Sequence, residues 1–350
     1  MDELFVLTIA LILTLLLRWG FKTLPEEKWQ VLATVPRSKD PINVWNGTNF
    51  TYYGLFNALA CVMAVITVFF LLGASRVPVG ITFMLTACLL CICIPSSRLM
   101  ARIVEKKKYT ASIGGASFVG VVSLPVVVWL CSRLLADRLN IELHTTAVLA
   151  AIFTAYAIGE GIGRLACISF GCCYGKPLTQ VPSVVGRLFA KHGFIFRGNT
   201  KKIAYSHDLE GVRVVPIQAV TAILYCAAGV IGIYLFLKGF YRTAFLETLL
   251  ITQLWRFVSE FFRADYRGEG KFSAYQIMGI MAVLYAIAVI FLSPHTASLI
   301  KPEVSSGLSS LWNPALILFI QALGIGVFLY TGRSSVTGAT LQFYVHHDRI

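Results

Sequence analysis

The stretch Gly159-Glu160-Gly161-Ile162-Gly163-Arg164-Leu165-Ala166-Cys167-Ile168-Ser169-Phe170-Gly171-Cys172-Cys173-Tyr174-Gly175 closes an apolar run that begins near Thr145. It sets an acid and an arginine inside a segment with the length of a membrane span. An arginine near the centre of a spanning helix costs about 2.5–3.5 kcal/mol on insertion scales, so it faces a bundle interior or a watery cavity and marks function. The glycines around it allow a second backbone or a lipid headgroup to come close.

With 57% hydrophobic and only 13% charged residues over 350 positions, the chain does not fit the composition of an ordinary soluble domain. The expected fold is all-α, a polytopic membrane helical bundle of about nine spans with a polar intramembrane site. Apolar runs place the spans near residues 4–17, 52–74, 79–94, 112–135, 145–170, 216–237, 243–262, 274–292 and 314–330. The first follows Met1-Asp2-Glu3, an acidic start that lacks the basic flank and cleavage site of a secretory signal, and is expected to be retained.

The net charge of +13 gathers in alternate loops. Arg18, Lys22, Lys28, Arg37 and Lys39 follow the first span; Arg98, Arg102, Lys106, Lys107 and Lys108 follow the third; Lys176, Arg187, Lys191, Arg197, Lys201, Lys202 and Arg213 follow the fifth. Alternating spans put these loops on one face, the face at which the Gly159–Gly175 stretch ends. The positive-inside rule makes that face cytoplasmic; a surface that gathers anionic phospholipid is the other reading. The expected partner is the membrane itself, with no nucleic acid.

The longest connection, 176–214, alternates basic and apolar residues, as a segment lying on lipid or a solvated loop would. The nine cysteines lie in or beside apolar runs, where cysteine packs as a small hydrophobe. Cys172 and Cys173 are adjacent, yet no histidine or second pair stands at zinc-ligand spacing, so neither a metal nor another cofactor is expected.

A second polar group interrupts the seventh span, in Arg256-Phe257-Val258-Ser259-Glu260-Phe261-Phe262-Arg263. The i, i+4, i+7 spacing puts Arg256, Glu260 and Arg263 on one helix face, with Glu260 placed to neutralise both arginines in part. Glu160 stands in the same i, i+4 relation to Arg164. These groups either fasten the bundle as ion pairs or clamp an anionic lipid headgroup, for which a guanidinium fork offers paired donors and a permanent charge.

These residues carry a resemblance. Gly163-Arg164-Leu165 through Gly175-Lys176 resembles the signature of the bacterial prolipoprotein diacylglyceryl transferases, G-R-x-G-N-F-x-N-x-E-x-x-G followed by a basic residue. Arg256 to Arg263 is similar to that family's R-F-x-x-E-x-x-R helix, and Ser273-Ala274-Tyr275-Gln276 to the S-x-x-Q that opens its next span. Upstream, Ser97-Arg98-Leu99 looks like its A-R-L, Ile113-Gly114-Gly115 like its H-G-G, and Pro216-Ile217-Gln218 like its P-S-Q. The resemblance implies a seven-helix core over 51–293 with the 176–214 insertion. An extra span and basic loop precede it in 1–50, and an extra span and tail follow in 294–350.

It also implies a transferase that moves diacylglyceryl from phosphatidylglycerol to the thiol of a lipoprotein-precursor cysteine, as a multi-pass protein of the bacterial cytoplasmic (inner) membrane. Arg164, Arg256, Glu260, Cys172 and Glu160 are the catalytic candidates. Arg98, Arg263, Gly114, Gly115, Gly163, Gly175, Gln218, Ser273 and Gln276 are the substrate-binding candidates. The sequence departs from the family at its polar groups: Ile113 stands for the H-G-G histidine, Cys167 for the signature asparagine, Cys172 for its glutamate and Thr221 for the glutamate after P-S-Q. Three readings stay open: this transfer with Glu160, Glu260 or a thiolate as base, the same donor with another acceptor, and lipid binding or transport without chemistry. If Cys172 is a reactive thiol, Arg164 should depress its pKa; if not, it packs beside Gly171 and Gly175. The family's site opens to the exported side, opposite to the face the charge bias assigns.

Overall fold

The computed structural model describes residues 2–41, 45–104, 106, 112–139, 143–265, 272–292, 301–335 and 348. Lys107 and Lys108 of the second basic cluster lie outside them. The chain begins with α1 (Asp2–Thr23), then the paired strands β1 (Val31–Lys39) and β2 (Trp45–Thr51), then α2 (Tyr52–Ala74), α3 (Val79–Val104), α4 (Ile113–Leu139) and α5 (Thr145–Phe170). Short elements follow: α6 (Ser183–Leu188), β3 (Phe194–Ile195), α7 (Lys202–His207) and β4 (Arg213–Val214). The chain continues through α8 (Ile217–Leu237), α9 (Tyr241–Ser259), α10 (Ala274–Leu292), α11 (Val304–Leu311), α12 (Pro314–Thr331) and β5 (Arg333–Ser334).

Eight helices among the described residues are long and apolar enough to cross a membrane. The ninth expected span is α9, a helix of comparable length whose Arg242, Glu247 and Arg256 make it more polar than the rest. It still packs inside the bundle, against α5, α8 and α10. The architecture is a polytopic helical membrane bundle.

The centre is α5, with 78% of its most apolar stretch buried, against 6% for α12 at the periphery. Small residues make this possible. A Cβ added to Gly159 would lie 2.9 Å from Ala64 of α2, and one added to Gly161 would lie 2.6 Å from Cys226 Sγ of α8. The glycines expected to admit a headgroup therefore admit neighbouring helices, the small-residue packing on which lipid-embedded bundles rely. Outside this centre, α11 and α12 pack on α2 and α1 packs on α8. Lys238, just beyond α8, holds the start of α1 through Asp2 at 3.6 Å and Glu3 at 3.5 Å.

Two regions read as loops have structure of their own. Strands β1 and β2 form an antiparallel pair, and β5 adds to β2 as the third strand, so the chain after α12 returns to the start of α2. Its strand pairing depends on partners distant in the chain, which hydrophobic periodicity does not reveal. The 176–214 segment is docked against residues 25–30. Its β3–β4 pair closes a hairpin-like unit, and Arg197 N donates to Pro25 O at 3.2 Å while Gln30 Nε2 donates to Thr200 O at 3.2 Å.

Lys201 anchors that docking. It is fully buried, and its ammonium donates to Ser169 O at 2.7 Å and Leu24 O at 3.1 Å, placing a cation on the carbonyl end of α5 where the helix dipole favours one. Burial pulls its pKa down from 10.5 to about 8. The unfolded chain keeps the proton up to the ordinary value, so the contribution of Lys201 to stability should rise with pH between about 8 and 10.5 and be lost as pH falls through 8. The full effect is roughly 3 kcal/mol at 1.36 kcal/mol per unit. Across that window in detergent, the unfolding midpoint of the native chain should rise relative to that of Lys201→Met; a constant difference between the two would remove Lys201 as a cause.

Candidate active site

The polar site lies where α5 crosses α9, and Glu160 is its hub. Glu160 Oε1 accepts from Arg164 Nη2 on its own helix. From α9, Arg256 Nη2 donates to Glu160 Oε2 at 2.9 Å and Oε1 at 3.1 Å, and to Tyr156 Oη at 2.6 Å. Two guanidinium groups thus share one carboxylate in a site where all three side chains are at most 12% exposed. The arginine Nε atoms of both Arg164 and Arg256 are buried without a hydrogen-bond partner among the described residues. Buried donors are nearly always satisfied in folded proteins, so these two call for an acceptor that the described residues do not supply.

Gly114 sits directly on this site: a Cβ there would come within 2.5 Å of Arg256 Nη1. Its neighbour Gly115 packs on Met100 instead, 2.3 Å from an added Cβ. The turn before them is held by Ser112, whose hydroxyl donates to Tyr275 Oη at 2.6 Å and accepts from Gly115 N at 3.1 Å.

The pairing of Arg256 with Glu160 adds a closer partner to the one that spacing gave it. Glu260 was placed on one face with both arginines, but α9 ends at Ser259 and a 3-10 turn carries Glu260 to Phe262. Glu260 then lies 3.9 Å from Arg263. The closer partner of Arg263 is Asp265, which accepts from Nε at 2.9 Å and from Nη2 at 3.0 Å. That fork is occupied within the chain, which argues against Arg263 as a free phosphate clamp. Backbone pairing fixes its position, since Lys176 N donates to Phe262 O at 2.8 Å and Ala264 N to Tyr174 O at 3.1 Å. Gly175 forms the bridge opposite Arg263, and an added Cβ would lie 2.3 Å from Val215 O, so only glycine fits.

Other candidates make contacts within the scaffold. Ser273 and Gln276 form a reciprocal cap at the start of α10, with Ser273 N donating to Gln276 Oε1 at 2.8 Å and Gln276 N to Ser273 Oγ at 3.2 Å. Gln276 Nε2 also donates to Phe257 O at 3.1 Å, pinning α10 to α9. Arg98 is exposed on α3 and turns to Tyr330 of α12, with its guanidinium 5.6 Å from the ring centre. Gly163 faces Ala60 of α2 at an ordinary 3.6 Å. Gln218 Nε2 donates to Cys172 O at 2.9 Å, while its buried Oε1 has no partner among the described residues.

The end of α5 folds the cysteines together. Gly171 is left-handed at φ 70°, Gly171 N donates to Ile168 O at 3.1 Å and Cys172 N to Cys167 O at 3.0 Å, the two bonds of a Schellman cap. That cap sets Cys172 over Cys167. Cys173 then takes φ 55°, and the Sγ atoms of Cys167, Cys172 and Cys173 lie within 4.8 Å of one another. The expected depression of the Cys172 thiol is reversed: bonding to the Cys167 and Cys173 thiols, and burial, push it well above the ordinary range.

Residues 41–292 match the model of one family, prolipoprotein diacylglyceryl transferase. The chain belongs to that family. It is a transferase family of lipoprotein biosynthesis, and the matched segment contains the whole α5–α9 site. No curated protein matches the chain. Helices α1, α11 and α12 lie outside the matched residues.

Spacing alone missed Tyr156 and Asp265. Tyr156 stands four residues before Glu160, on the Arg164 face of α5, and Asp265 two residues after Arg263, so both signals were present. Thr221, at the position of a family glutamate, accepts from Trp255 Nε1 at 2.8 Å and donates to Ile217 O at 2.7 Å. Ile113, at the histidine position, is half exposed.

Proposed function

We propose that this chain transfers diacylglyceryl from phosphatidylglycerol to the thiol of a lipoprotein-precursor cysteine in the bacterial inner membrane. The observation that carries the reading is the pair of buried guanidinium groups on Glu160 with unpartnered Nε donors, inside the region of the family match. Phosphate oxygens of the donor would accept from Arg164 and Arg256, and the same bonds would strengthen as the leaving glycerol phosphate gains charge. Glu160 holds both forks in place and is itself committed to them, which makes it a positioning residue rather than a free base.

An apolar groove suits the lipid environment. A cavity of about 1000 Å³ runs between α1 and α8, lined by Leu13, Leu17, Val220 and Ile223 and ending at Arg18, Lys22 and Lys191. Apolar walls with a cationic end match an anionic glycerophospholipid, though α8 separates this groove from Glu160.

A second reading, the same donor with another acceptor, is favoured by the loss of the family's histidine at Ile113 and its glutamate at Thr221. The deciding experiment uses purified full chain with phosphatidylglycerol and a lipobox peptide, read by mass spectrometry for the thioether. Complementation of cells depleted of their own diacylglyceryl transferase is the parallel readout. Donor turnover without peptide modification would move the conclusion to another acceptor; no turnover in either assay would remove the enzymatic reading.

A further inference from the structure

We propose that Cys167, Cys172 and Cys173 bind a zinc ion through their thiolates and leave its fourth position for an incoming thiolate. The sequence criterion for a metal looked for a histidine or a second cysteine pair; the third ligand is Cys167, five residues before Cys172 and invisible until the cap folds back. Tetrahedral zinc with bonds of about 2.3 Å holds its sulfurs roughly 3.8 Å apart. The observed separations of at most 4.8 Å need a closure of about 1 Å, within the reach of side-chain rotation.

Capping accounts for only part of this cluster. A Schellman cap commonly brings the side chains equivalent to Cys167 and Cys172 into contact, and an apolar pair there would serve equally well. It does not require Cys173, whose left-handed φ of 55° is unfavourable for a residue with a Cβ. Nor does packing explain the setting. Arg164 stands three residues before Cys167 on α5, and Gly175, two residues after Cys173, bridges Arg263, so two cations stand close to sulfurs that would carry negative charge when metallated. Buried Gln218 holds the Cys172 carbonyl and keeps an unpartnered Oε1 beside the same turn. Three protein ligands with one open position is the arrangement of a catalytic rather than a structural zinc.

The open position answers a chemical need that the family's missing polar groups leave. The role of the acceptor rests on the proposed function; the binding of zinc does not. On coordination an acceptor thiol gives its proton to water and becomes a thiolate, as a metal-bound thiol does. Its sulfur lone pair then forms the C–S bond to the glyceryl carbon that carries the phosphate ester. The C–O bond breaks, its electron pair stays on the phosphate oxygen, and glycerol phosphate leaves on Arg164 and Arg256. Nothing is oxidised or reduced.

The test uses the reduced full chain in detergent, with zinc and then cobalt(II) as probes. We expect about one zinc retained per chain after dialysis, and a cobalt spectrum with tetrahedral d–d bands and sulfur-to-cobalt charge transfer. Cys172→Ser and Cys173→Ser should each lose both while eluting as the native chain does; Cys61→Ser should lose neither. A lipobox peptide should shift the cobalt bands, and its serine version should not. A zinc-free chain after metal loading, a Cys172–Cys173 disulfide that persists under reduction, or unchanged binding in both serine variants would overturn the site. An unmoved cobalt spectrum with the cysteine peptide would overturn the open position. Transfer by a zinc-free chain sinks the zinc-bound acceptor and leaves the proposed function standing, whereas a zinc-loaded chain with the expected spectrum and no transfer sinks the proposed function and leaves the metal site standing.

Discussion

Arg164→Ala and Arg256→Ala should each abolish transfer while the bundle remains folded. Each guanidinium supplies charge-assisted bonds worth roughly 1.5–3 kcal/mol apiece, and two such bonds to phosphate correspond to a rate loss of about 10² to 10⁴ at 1.36 kcal/mol per decade. Arg256 offers more than charge. Its Nη2 is already fixed between Tyr156 and Glu160, which leaves the buried Nε as a donor whose direction the carboxylate has set. A lysine cannot hold Glu160 and present a second oriented donor at once, so Arg164→Lys and Arg256→Lys should restore little. The measurement is initial transfer rate with phosphatidylglycerol vesicles, alongside gel filtration to show an intact fold. Full activity in either lysine variant would rule out fork binding of phosphate.

Glu160→Gln should have the largest effect on stability of any single change at this site. It leaves two buried guanidinium groups sharing no counter-charge, and breaking a buried pair by removing one partner costs about 3–5 kcal/mol. Here the lost carboxylate serves two partners, and it also joins α5 to α9. Denaturant unfolding of the purified chain should show the loss directly. The double variant Glu160→Gln with Arg256→Gln should recover part of it, because one of the stranded charges is gone, and it should still fail to transfer. If Glu160→Gln is as stable as the native chain, Glu160 is not the hub that joins the helices.

Much of the site was legible because it consists of anomalies. Glu160, Arg164 and Arg256 are ionisable residues in apolar runs, and the energy of placing them there singles them out without any knowledge of the fold. What they contact was not legible. Helical spacing gave Glu260 to Arg256 and Arg263 together, because spacing describes only neighbours along one helix, and it could not show that a closer carboxylate reaches Arg256 from elsewhere. The α9 helix stops at Ser259, and the carboxylate that reaches Arg256 comes from a helix almost a hundred residues earlier. Ser273 and Gln276 show the reverse case: their spacing is that of a capping box, and the structure uses them as one.

The sequence by itself determined the class of protein and the position of its long helices, since burial in lipid demands long apolar runs and each run states its own length. It also determined which side chains would be costly to hide. Only the tertiary structure decided which helix lies at the centre, because that depends on glycines of α5 meeting small residues of α2 and α8. It decided that β2 pairs with β5, since strand partners are chosen across the chain rather than along it. It also decided that three scattered cysteines form one cluster, because a left-handed glycine at the end of α5 and a left-handed Cys173 turn the backbone onto the helix it has just left. Hydrophobic periodicity records the faces of elements; contacts between elements are set by packing, which no single run of residues contains.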